Sequence, residues 1–394
     1  MEPALKRIGI VELNGQSWTG GLHFMRLLTH VLDDACRGAG TELVILTDHT
    51  TGGAVRRTLD DTGRIVTVTP RHHLRGEKFL RSLLRLPDKS DLLETARENN
   101  IDVLLPLLSI PEDAAKLKTV GWIPDFQHVH LPDYFSEADR RARDLRFRLL
   151  AERASLVMLT SQDAREDFAA FAPKHAHKAR VVSFPASLAT ETIADDPHVT
   201  VKKFNLPEKF ALVANQFWLH KNHQVVVEAV AQLRQRNVRV PVVMTGLPAD
   251  YRDPINQVLS QTLQAVACAG LVDQVVLLGL VSDEELVALM RAAALIIQPS
   301  RFEGWSTIVQ NTKALGRPLV CSDIAAHREQ VPNALGFFPC ERADALAEIL
   351  ATYWPRLEPG PNPEAEHKAL AAEHEAVKQY GQSILKLCLE AFSL

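Results

Sequence analysis

Residues 294–323 read ALIIQPSRFEGWSTIVQNTKALGRPLVCSD, and this stretch decides the fold class. The apolar runs at its two ends have the composition of strands that are buried on both faces. Between them, a turn through Pro299 and Gly304 leads into a segment of helical periodicity. A buried strand, a helix and a second buried strand in this order predict an α/β protein with a parallel sheet flanked by helices.

The same alternation of short apolar runs and helical segments continues on both sides of this stretch. A chain of 394 residues is longer than one hydrophobic core usually grows, and a segment of poor periodicity interrupts the alternation after Pro185. We therefore predict two Rossmann-like, doubly wound domains over 1–185 and 209–360, joined by a linker over 186–208. Residues 361–394 are expected to form final helices that pack back on the first domain. The strand candidates are RIGIVEL, ELVILTD, RIVTVT, DVLLPLL, VGWIPDF, LVMLTS and RVVSF, then ALVAN, PVVMTG, QVVLLG, ALIIQPS, PLVCSD and LGFFP.

The composition excludes several classes of protein. The formal net charge of -4 gives no global argument for nucleic-acid binding. The five cysteines are widely spaced and include no CxxC pair, which favours a reducing compartment over a disulfide framework or a thiolate metal site. We find no signal peptide and no run of about 18 apolar residues, so we expect a cytoplasmic protein. The GxGxxG dinucleotide fingerprint and the Walker lysine loop are also absent.

The turn after the strand candidate ALIIQPS has the features of an anion-binding site. Ligands of open parallel sheets gather at the carboxyl ends of the strands, where helix N-termini also point. Ser306 or Thr307 is placed to cap the helix that follows, and the free backbone N–H groups of its first turn would suit a nucleotide-sugar diphosphate. The alternative is that these residues only cap the helix and Trp305 only packs.

Three segments together resemble one enzyme family. PSRFEGWSTIVQNTKALGRPLVCSDIAAHREQ is similar to the donor-binding segment of the retaining glycosyltransferases of family 4, and VANQFWLHKNHQVVVEA and WIPDFQHVHLPDYFS resemble two further segments of that family. The resemblance implies the GT-B fold, in which two Rossmann-like domains face a central cleft. It also implies that a nucleotide-sugar binds to the C-terminal domain and an acceptor to the N-terminal domain.

The resemblance assigns roles to individual residues. Glu303 would be the first acid of the family's Glu-seven residues-Glu motif and would contact the transferred sugar. The N–H groups from Gly304 through Trp305 and Ser306 to Thr307 would approach the sugar and the diphosphate. Lys221 would hold the diphosphate, and Val281 would lie near the base.

Two positions depart from the family pattern. The second acid of the motif, which would bind the ribose hydroxyls, is replaced by Asn311, whose amide offers one carbonyl oxygen in place of two carboxylate oxygens. The arginine that often accompanies the lysine is replaced by Gln216. Both changes put the affinity for a nucleotide in question.

The chemistry of sugar transfer predicts that no metal is needed. Breaking the bond to a nucleoside diphosphate builds negative charge on the leaving phosphate, which many transferases neutralise with a metal held by Asp-x-Asp. This chain contains no such triplet. We therefore expect Lys221 and a helix N-terminus to stabilise the leaving group, with no cofactor and no essential metal.

The first domain offers further candidate residues. Gly20 and Gly21 follow the first strand candidate and would let the backbone approach a phosphate or sugar, although such a pair is often a plain turn. In PDFQHVH, Asp125 or His128 would point into the cleft and contact the donor sugar or the acceptor hydroxyl. A metal held by His128 and His130 on one face of an extended strand, or purely structural histidines, are the alternatives.

Residues 71–87, RHHLRGEKFLRSLLRLP, combine basic and apolar residues at helical spacing. Through residues 71–85, this helix would contact an anionic membrane surface or a lipid-linked acceptor, or it would simply be a solvated helix packed on its domain.

Three functions are consistent with these patterns. The first is a metal-independent, retaining glycosyltransferase that acts in the assembly of a surface polysaccharide such as lipopolysaccharide. The second is a nucleotide-sugar epimerase on the same fold, and the third is a non-catalytic protein that binds nucleotide-sugars. The sequence does not indicate the base, the sugar or the acceptor.

Overall fold

The computed structural model describes residues 4–12, 19–48, 64–68, 91–110, 117–186, 193, 195–250, 252–253 and 255–394. By its internal contacts, the chain divides into two units. The first unit comprises Met1–Phe126, Ser136–Pro185 and Glu375–Leu394, and the second comprises Gln127–Phe135 and Ala186–His374.

The first unit is built on a parallel sheet, of which seven strands lie in the described residues. The strands are β1 (Arg7–Val11), β2 (Glu42–Asp48), β3 (Arg64–Val68), β4 (Val103–Leu107), β5 (Lys118–Trp122), β6 (Leu156–Leu159) and β7 (Ala179–Val181). Their order is β3-β2-β1-β4-β5-β6-β7, so the direction of winding reverses between β1 and β4.

The second unit repeats this architecture with six described strands. They are β8 (Ala211–Ala214), β9 (Val242–Thr245), β10 (Val275–Gly279), β11 (Leu295–Gln298), β12 (Leu319–Ser322) and β13 (Gly336–Phe338). All pair in parallel in the order β10-β9-β8-β11-β12-β13, and the winding reverses between β8 and β11. The prediction of two Rossmann-like, doubly wound α/β domains is confirmed.

Helices connect the strands and cover both sheets. In the first unit they are α1 (Thr19–Ala39), α2 (Asp91–Glu98), α4 (Glu137–Arg153) and α5 (Gln162–Phe171), while α3 (Gln127–His130) belongs to the second unit. The second unit also has α6 (Pro197–Lys203), α7 (His223–Gln235), α8 (Gln257–Cys268), α9 (Asp283–Ala292), α10 (Thr307–Ala314), α11 (Ala325–Gln330) and α12 (Ala343–Tyr353), and α13 (Pro363–Ser393) ends the chain. Helix α9 begins at a capping box, with Ser282 and Glu285 exchanging side-chain to backbone hydrogen bonds of 3.2 and 2.9 Å.

Apolar strands and helix faces form the cores, as their sequences predict. Every residue of β8, β9 and β11 is buried, and the run Val225–Val227 of α7 packs on this sheet. Complete burial of a Val or Leu side chain contributes about 1.5–3 kcal/mol. These cores hold the strand ends in fixed positions, and the loops that follow them carry the candidate site.

Two segments of the chain lie in a unit other than that of the residues that precede them. Gln127–Phe135 leaves the first sheet after β5 but packs within the second unit. The C-terminal segment is one continuous helix, α13, whose residues from Glu375 onward belong to the first unit. The predicted basic helix at 71–87 lies outside the described residues.

Candidate active site

The loops that follow β8 and β11 leave the second sheet at the point where its winding reverses. Doubly wound sheets bind ligands outside the carboxyl ends of the strands at such a point. The loop after β8 carries Lys221, and the loop after β11 carries Glu303. Two residues that are far apart in the sequence are therefore brought to the same edge of the sheet.

Lys221 and Glu303 form an ion pair at this edge. Lys221 Nζ donates a hydrogen bond of 2.6 Å to Glu303 Oε1. The side chains retain only 14% and 9% of their exposure, so the pair is largely shielded from solvent. An ammonium has three donor protons, and this bond uses one of them.

Residues of β11 and the turn after it support the Glu303 carboxylate. Gln298 Nε2 donates 3.0 Å to Glu303 Oε1 and 3.1 Å to Ser300 Oγ, while Gln298 Oε1 accepts 3.1 Å from Asn215 Nδ2. Burial by itself raises the pKa of Glu303, but the charge of Lys221 and hydrogen bonds from Lys221 and Ser300 more than offset it. The pKa of this carboxyl therefore lies below its ordinary value, and Glu303 is an acceptor at neutral pH.

The N-terminus of α10 is the second component of the site. Ser306 is the N-cap residue, and its Oγ accepts a hydrogen bond from the Val309 N–H at 3.4 Å. The Ser306 N–H donates 3.0 Å to Gln330 Oε1, so this amide is bonded within the protein, and its approach to a ligand stays a prediction. Among the described residues, none accepts from the N–H groups of Thr307 and Ile308, and these two amides are available to an anion.

The loop after β8 is held by buried polar contacts. Asn222 adopts a left-handed conformation (φ 57°), and its Nδ2 donates to the carbonyls of Pro299 at 3.1 Å and Cys340 at 2.8 Å. The Arg301 N–H donates 2.7 Å to the His220 carbonyl. The loop that carries Lys221 is thus tied directly to the turn that precedes Glu303.

Two buried histidines flank Lys221. The His223 ring stacks on Phe217 with 4.3 Å between centroids, and its Nε2 lies 3.3 Å from the Asn215 carbonyl. Burial lowers the pKa of His223 to about 4. Burial and the neighbouring charges of Lys221 and Arg252 lower the pKa of His220 well below its ordinary value. Both imidazoles are neutral at pH 7.

Arg252 is a buried cation near this loop that the sequence motifs do not indicate. Its guanidinium pairs with the Asp250 carboxylate, donates 2.6 Å to Gln127 Oε1, and lies 3.4 Å from His220 Nδ1. It also stacks over the Phe135 ring at 5.2 Å. No motif marks Arg252, because Gln127, Phe135 and His220 come from distant parts of the sequence.

The segment PDFQHVH is not extended where the metal hypothesis requires it to be. Residues Gln127–His130 form the short helix α3, so His128 and His130 lie on different sides of it. His128 is buried and His130 is exposed, with its ring 5.1 Å from that of Phe302. The expectation that the two imidazoles share one face is wrong. Within the described residues, no three His, Cys, Asp or Glu side chains are grouped to hold a metal ion.

The other predicted residues have ordinary structural positions. Asp125 is partly buried and lies 3.5 Å from Arg143 Nη1 in the first unit. Gly20 and Gly21 lie in the first turn of α1. The remaining four candidates lie in the second unit, in the loops that follow its strands. Gln216, Gly304 and Trp305 are partly buried, and Val281 packs on a core cluster.

Asn311 lies one turn into α10. It is 7% exposed, and its Oδ1 is buried without a hydrogen-bond partner among the described residues. A buried acceptor without a partner is uncommon in native structures and is often satisfied by a bound molecule.

The fold and part of the sequence match known proteins. The crystal structure of HepE from Anabaena in complex with UDP and glucose aligns with 96% of this chain and 98% of its own, with a TM-score of 0.66 and 18% sequence identity. The chain has the GT-B fold of glycosyltransferases. Residues 196–354, which include both members of the Lys221–Glu303 pair, match the family model described as Glycosyl transferases group 1.

Two curated relatives match part of the chain. The mannosylfructose-phosphate synthase of Agrobacterium fabrum (strain C58) is 27% identical over 139 residues, which are 35% of this chain and 29% of that protein. The O-antigen chain mannosyltransferase B of Escherichia coli is 26% identical over 160 residues, which are 39% of this chain and 40% of that protein. The matched region thus spans less than half the length of either relative. In the described part of the chain, no helix has the length and apolar character needed to cross a membrane.

Proposed function

We propose that the protein is a retaining glycosyltransferase that resembles family 4 and moves a sugar from a nucleotide-sugar donor to a glycan or lipid-linked acceptor. One observation carries the proposal: the ammonium of Lys221 lies 2.6 Å from the carboxylate of Glu303 where the winding of the sheet reverses. The N-terminus of α10 begins four residues after Glu303. A cation, an acceptor and unused amides at such a point suit a sugar linked to a diphosphate.

The charges of these groups match those that develop during transfer. As the glycosidic bond breaks, Lys221 and the Thr307 and Ile308 amides would stabilise the leaving diphosphate. Glu303, which is ionised at neutral pH, would accept a hydrogen bond from a hydroxyl of the transferred sugar. Because Lys221 has further donor protons, it could bridge Glu303 and the diphosphate at once. No step requires a metal ion.

Retention of configuration would follow from transfer on one face of the sugar. The leaving phosphate would take the proton of the acceptor hydroxyl, so a second carboxylate at about 5–5.5 Å from the first is not required. His128 and Asp125 remain the candidates for contacts to the sugar or the acceptor.

The relatives support a hexose donor. Two are named for mannosyl products or mannosyl transfer, and HepE binds UDP and glucose. The name of the Escherichia coli relative also favours a role in building surface polysaccharide such as lipopolysaccharide. The proposed place of this activity is the cytoplasm or the inner face of the membrane.

A second candidate function is non-catalytic binding of a nucleotide-sugar. Two positions favour this function. Asn311 stands where the family has an acid, and Gln216 stands where the family often has an arginine. The two candidates share the binding site but differ in turnover.

Calorimetric titration with UDP, GDP, ADP and dTDP measures nucleotide binding, and assays of the matching hexose donors in the presence of EDTA measure turnover. Together the two measurements test both candidates. Transfer or slow donor hydrolysis in EDTA supports a metal-independent transferase. Tight binding of one nucleotide without turnover of any donor supports the non-catalytic function. If none of the four nucleotides binds, both are wrong.

A further inference from the structure

Gln330, at the end of α11, makes a two-sided contact with the start of α10. The Ser306 N–H donates 3.0 Å to Gln330 Oε1, and Gln330 Nε2 donates 3.0 Å to the Ser306 carbonyl. Gln330 is 2% exposed, so its amide makes these bonds away from solvent. Both backbone groups of the N-cap residue are thus held by one side chain.

This contact fixes the first turn of α10. The Ser306 carbonyl also accepts the first hydrogen bond of the helix, from the Gln310 N–H at 3.2 Å, and the Ser306 side chain accepts from Val309. The position of Ser306 therefore determines where the Thr307 and Ile308 amides point. Ser306 also lies three residues after Glu303, so the same contact restrains the end of the loop that carries the carboxylate.

Gln330 is itself anchored to the other end of α10. Lys313 Nζ, in the last turn of that helix, donates 2.8 Å to the Gln330 carbonyl. One residue of α11 is therefore bonded to both ends of α10, through its side chain at the first end and its main chain at the second. This arrangement resists both tilting and sliding of α10 against α11.

We propose that Gln330 is a positioning residue for the donor diphosphate, acting through Ser306 and without touching the ligand. The inference rests on the proposed function, because the diphosphate is the anion assigned to the α10 amides. Only a side chain that both donates and accepts can make the contact. Gln330→Met removes both bonds at similar volume, and Gln330→Glu replaces the donor with a carboxylate oxygen that faces the Ser306 carbonyl.

Gln274 provides a matched control. It is 3% exposed in the same unit, directly before β10, and its Nε2 donates 2.9 Å to the Val240 carbonyl just before β9, away from the strand ends that carry the site. Gln274→Met therefore also removes a buried amide to backbone bond. If Gln330 has a purely structural role, the two Met variants should change the melting temperature and the nucleotide Kd in the same way.

The experiment measures the Kd of the preferred nucleoside diphosphate, the melting temperature, and the KM and kcat of its hexose donor. For Gln330→Met we expect Kd and KM to rise about tenfold, the size expected for loss of one or two hydrogen bonds. Gln274→Met should lower the melting temperature and leave Kd unchanged. Gln330→Glu should bind the nucleoside diphosphate weakly at pH 8. Its affinity should rise as the pH is lowered toward 5, because a protonated carboxyl again donates and accepts. Equal Kd values for the wild type and Gln330→Met would overturn the inference.

Hydrogen exchange separates failure of this inference from failure of the proposed function. If the wild type binds no nucleoside diphosphate, the proposed function is wrong, and the assignment of the diphosphate to the α10 amides is wrong as well. Faster exchange of the Val309 and Gln310 amides, which are bonded to Ser306, in Gln330→Met than in Gln274→Met would still support positioning of α10 by Gln330. Equal exchange in the two variants would contradict it.

Discussion

Two buried ion pairs of the second unit differ in how completely their hydrogen-bonding groups are used. Arg291 and Glu366 form a two-bond pair of 3.2 and 3.1 Å, and Arg291 also donates 2.7 Å to the Asp195 carbonyl. Lys221 and Glu303 share one bond, although their side chains are buried to a similar extent.

The difference indicates different roles. Arg291 joins α9 to α13, and its fork-shaped guanidinium matches the carboxylate of Glu366. The Lys221 ammonium is a point charge with three donor protons, and one of them is bonded to Glu303 within the described residues. An ion pair joined by two hydrogen bonds suits a structural contact between helices. An ion pair joined by one hydrogen bond suits ligand binding, because it leaves donor protons for the ligand.

Removing Arg291 should have the largest effect on stability. Arg291→Met leaves Glu366 buried without its partner, so we expect a loss of about 3–5 kcal/mol in the free energy of unfolding. Urea denaturation measures this loss. The double variant Arg291→Met/Glu366→Leu should recover most of it, and the nucleotide Kd of the folded protein should stay unchanged. A Kd that changes with Arg291 would contradict the division of roles.

Removing Lys221 should have the largest effect on turnover. Lys221→Ala should lower kcat by about two to three orders of magnitude, because a donor to the leaving group is lost. It also leaves Glu303 buried without a cation, so the melting temperature should fall. Lys221→Met/Glu303→Gln should restore stability but not activity. Lys209→Met is the control, because Lys209 donates to the Trp354 carbonyl and lies over the Trp354 ring elsewhere in the unit. Near-normal turnover of Lys221→Ala would remove Lys221 from the mechanism.

Acid should weaken the second unit through His223. The pKa of His223 is lowered to about 4 in the folded state, so between pH 6.5 and 4 the unfolded chain binds the extra proton. Stability is therefore retained above pH 6.5 and lost as the pH falls, by about 2 kcal/mol at pH 5 for this residue. Urea denaturation at several pH values should show a shallower acid decline for His223→Gln than for the wild type. Parallel pH profiles would show that His223 does not contribute.

The smallest expected effect concerns Asn311. Asn311→Asp keeps the shape of the side chain and supplies a second acceptor, so a ribonucleoside diphosphate should bind about 1 kcal/mol more tightly. The corresponding deoxyribonucleotide should gain less, because it has one ribose hydroxyl fewer. Titration of both ligands measures the difference. Equal gains would show that Asn311 does not face the ribose.

Local sequence patterns predicted much of the fold and part of the site. The apolar runs predicted the strands, and Ser306 is one of the two residues predicted to cap α10, because strand burial and capping depend on residues a few positions apart. The motifs also singled out Lys221 and Glu303. The extended conformation of QHVH that the metal alternative assumed is wrong, since four residues with neither apolar periodicity nor a cap favour no conformation strongly.

The sequence by itself determined the alternation of strands and helices and the residue types at the strand ends. Only the tertiary structure decided which of these residues meet: Lys221 with Glu303 across 82 positions, and Gln330 with Ser306 across 24. The physical reason is that a buried hydrogen bond depends on donor and acceptor geometry within a few tenths of an ångström. The packing of the whole sheet fixes that geometry, whereas the local chain does not.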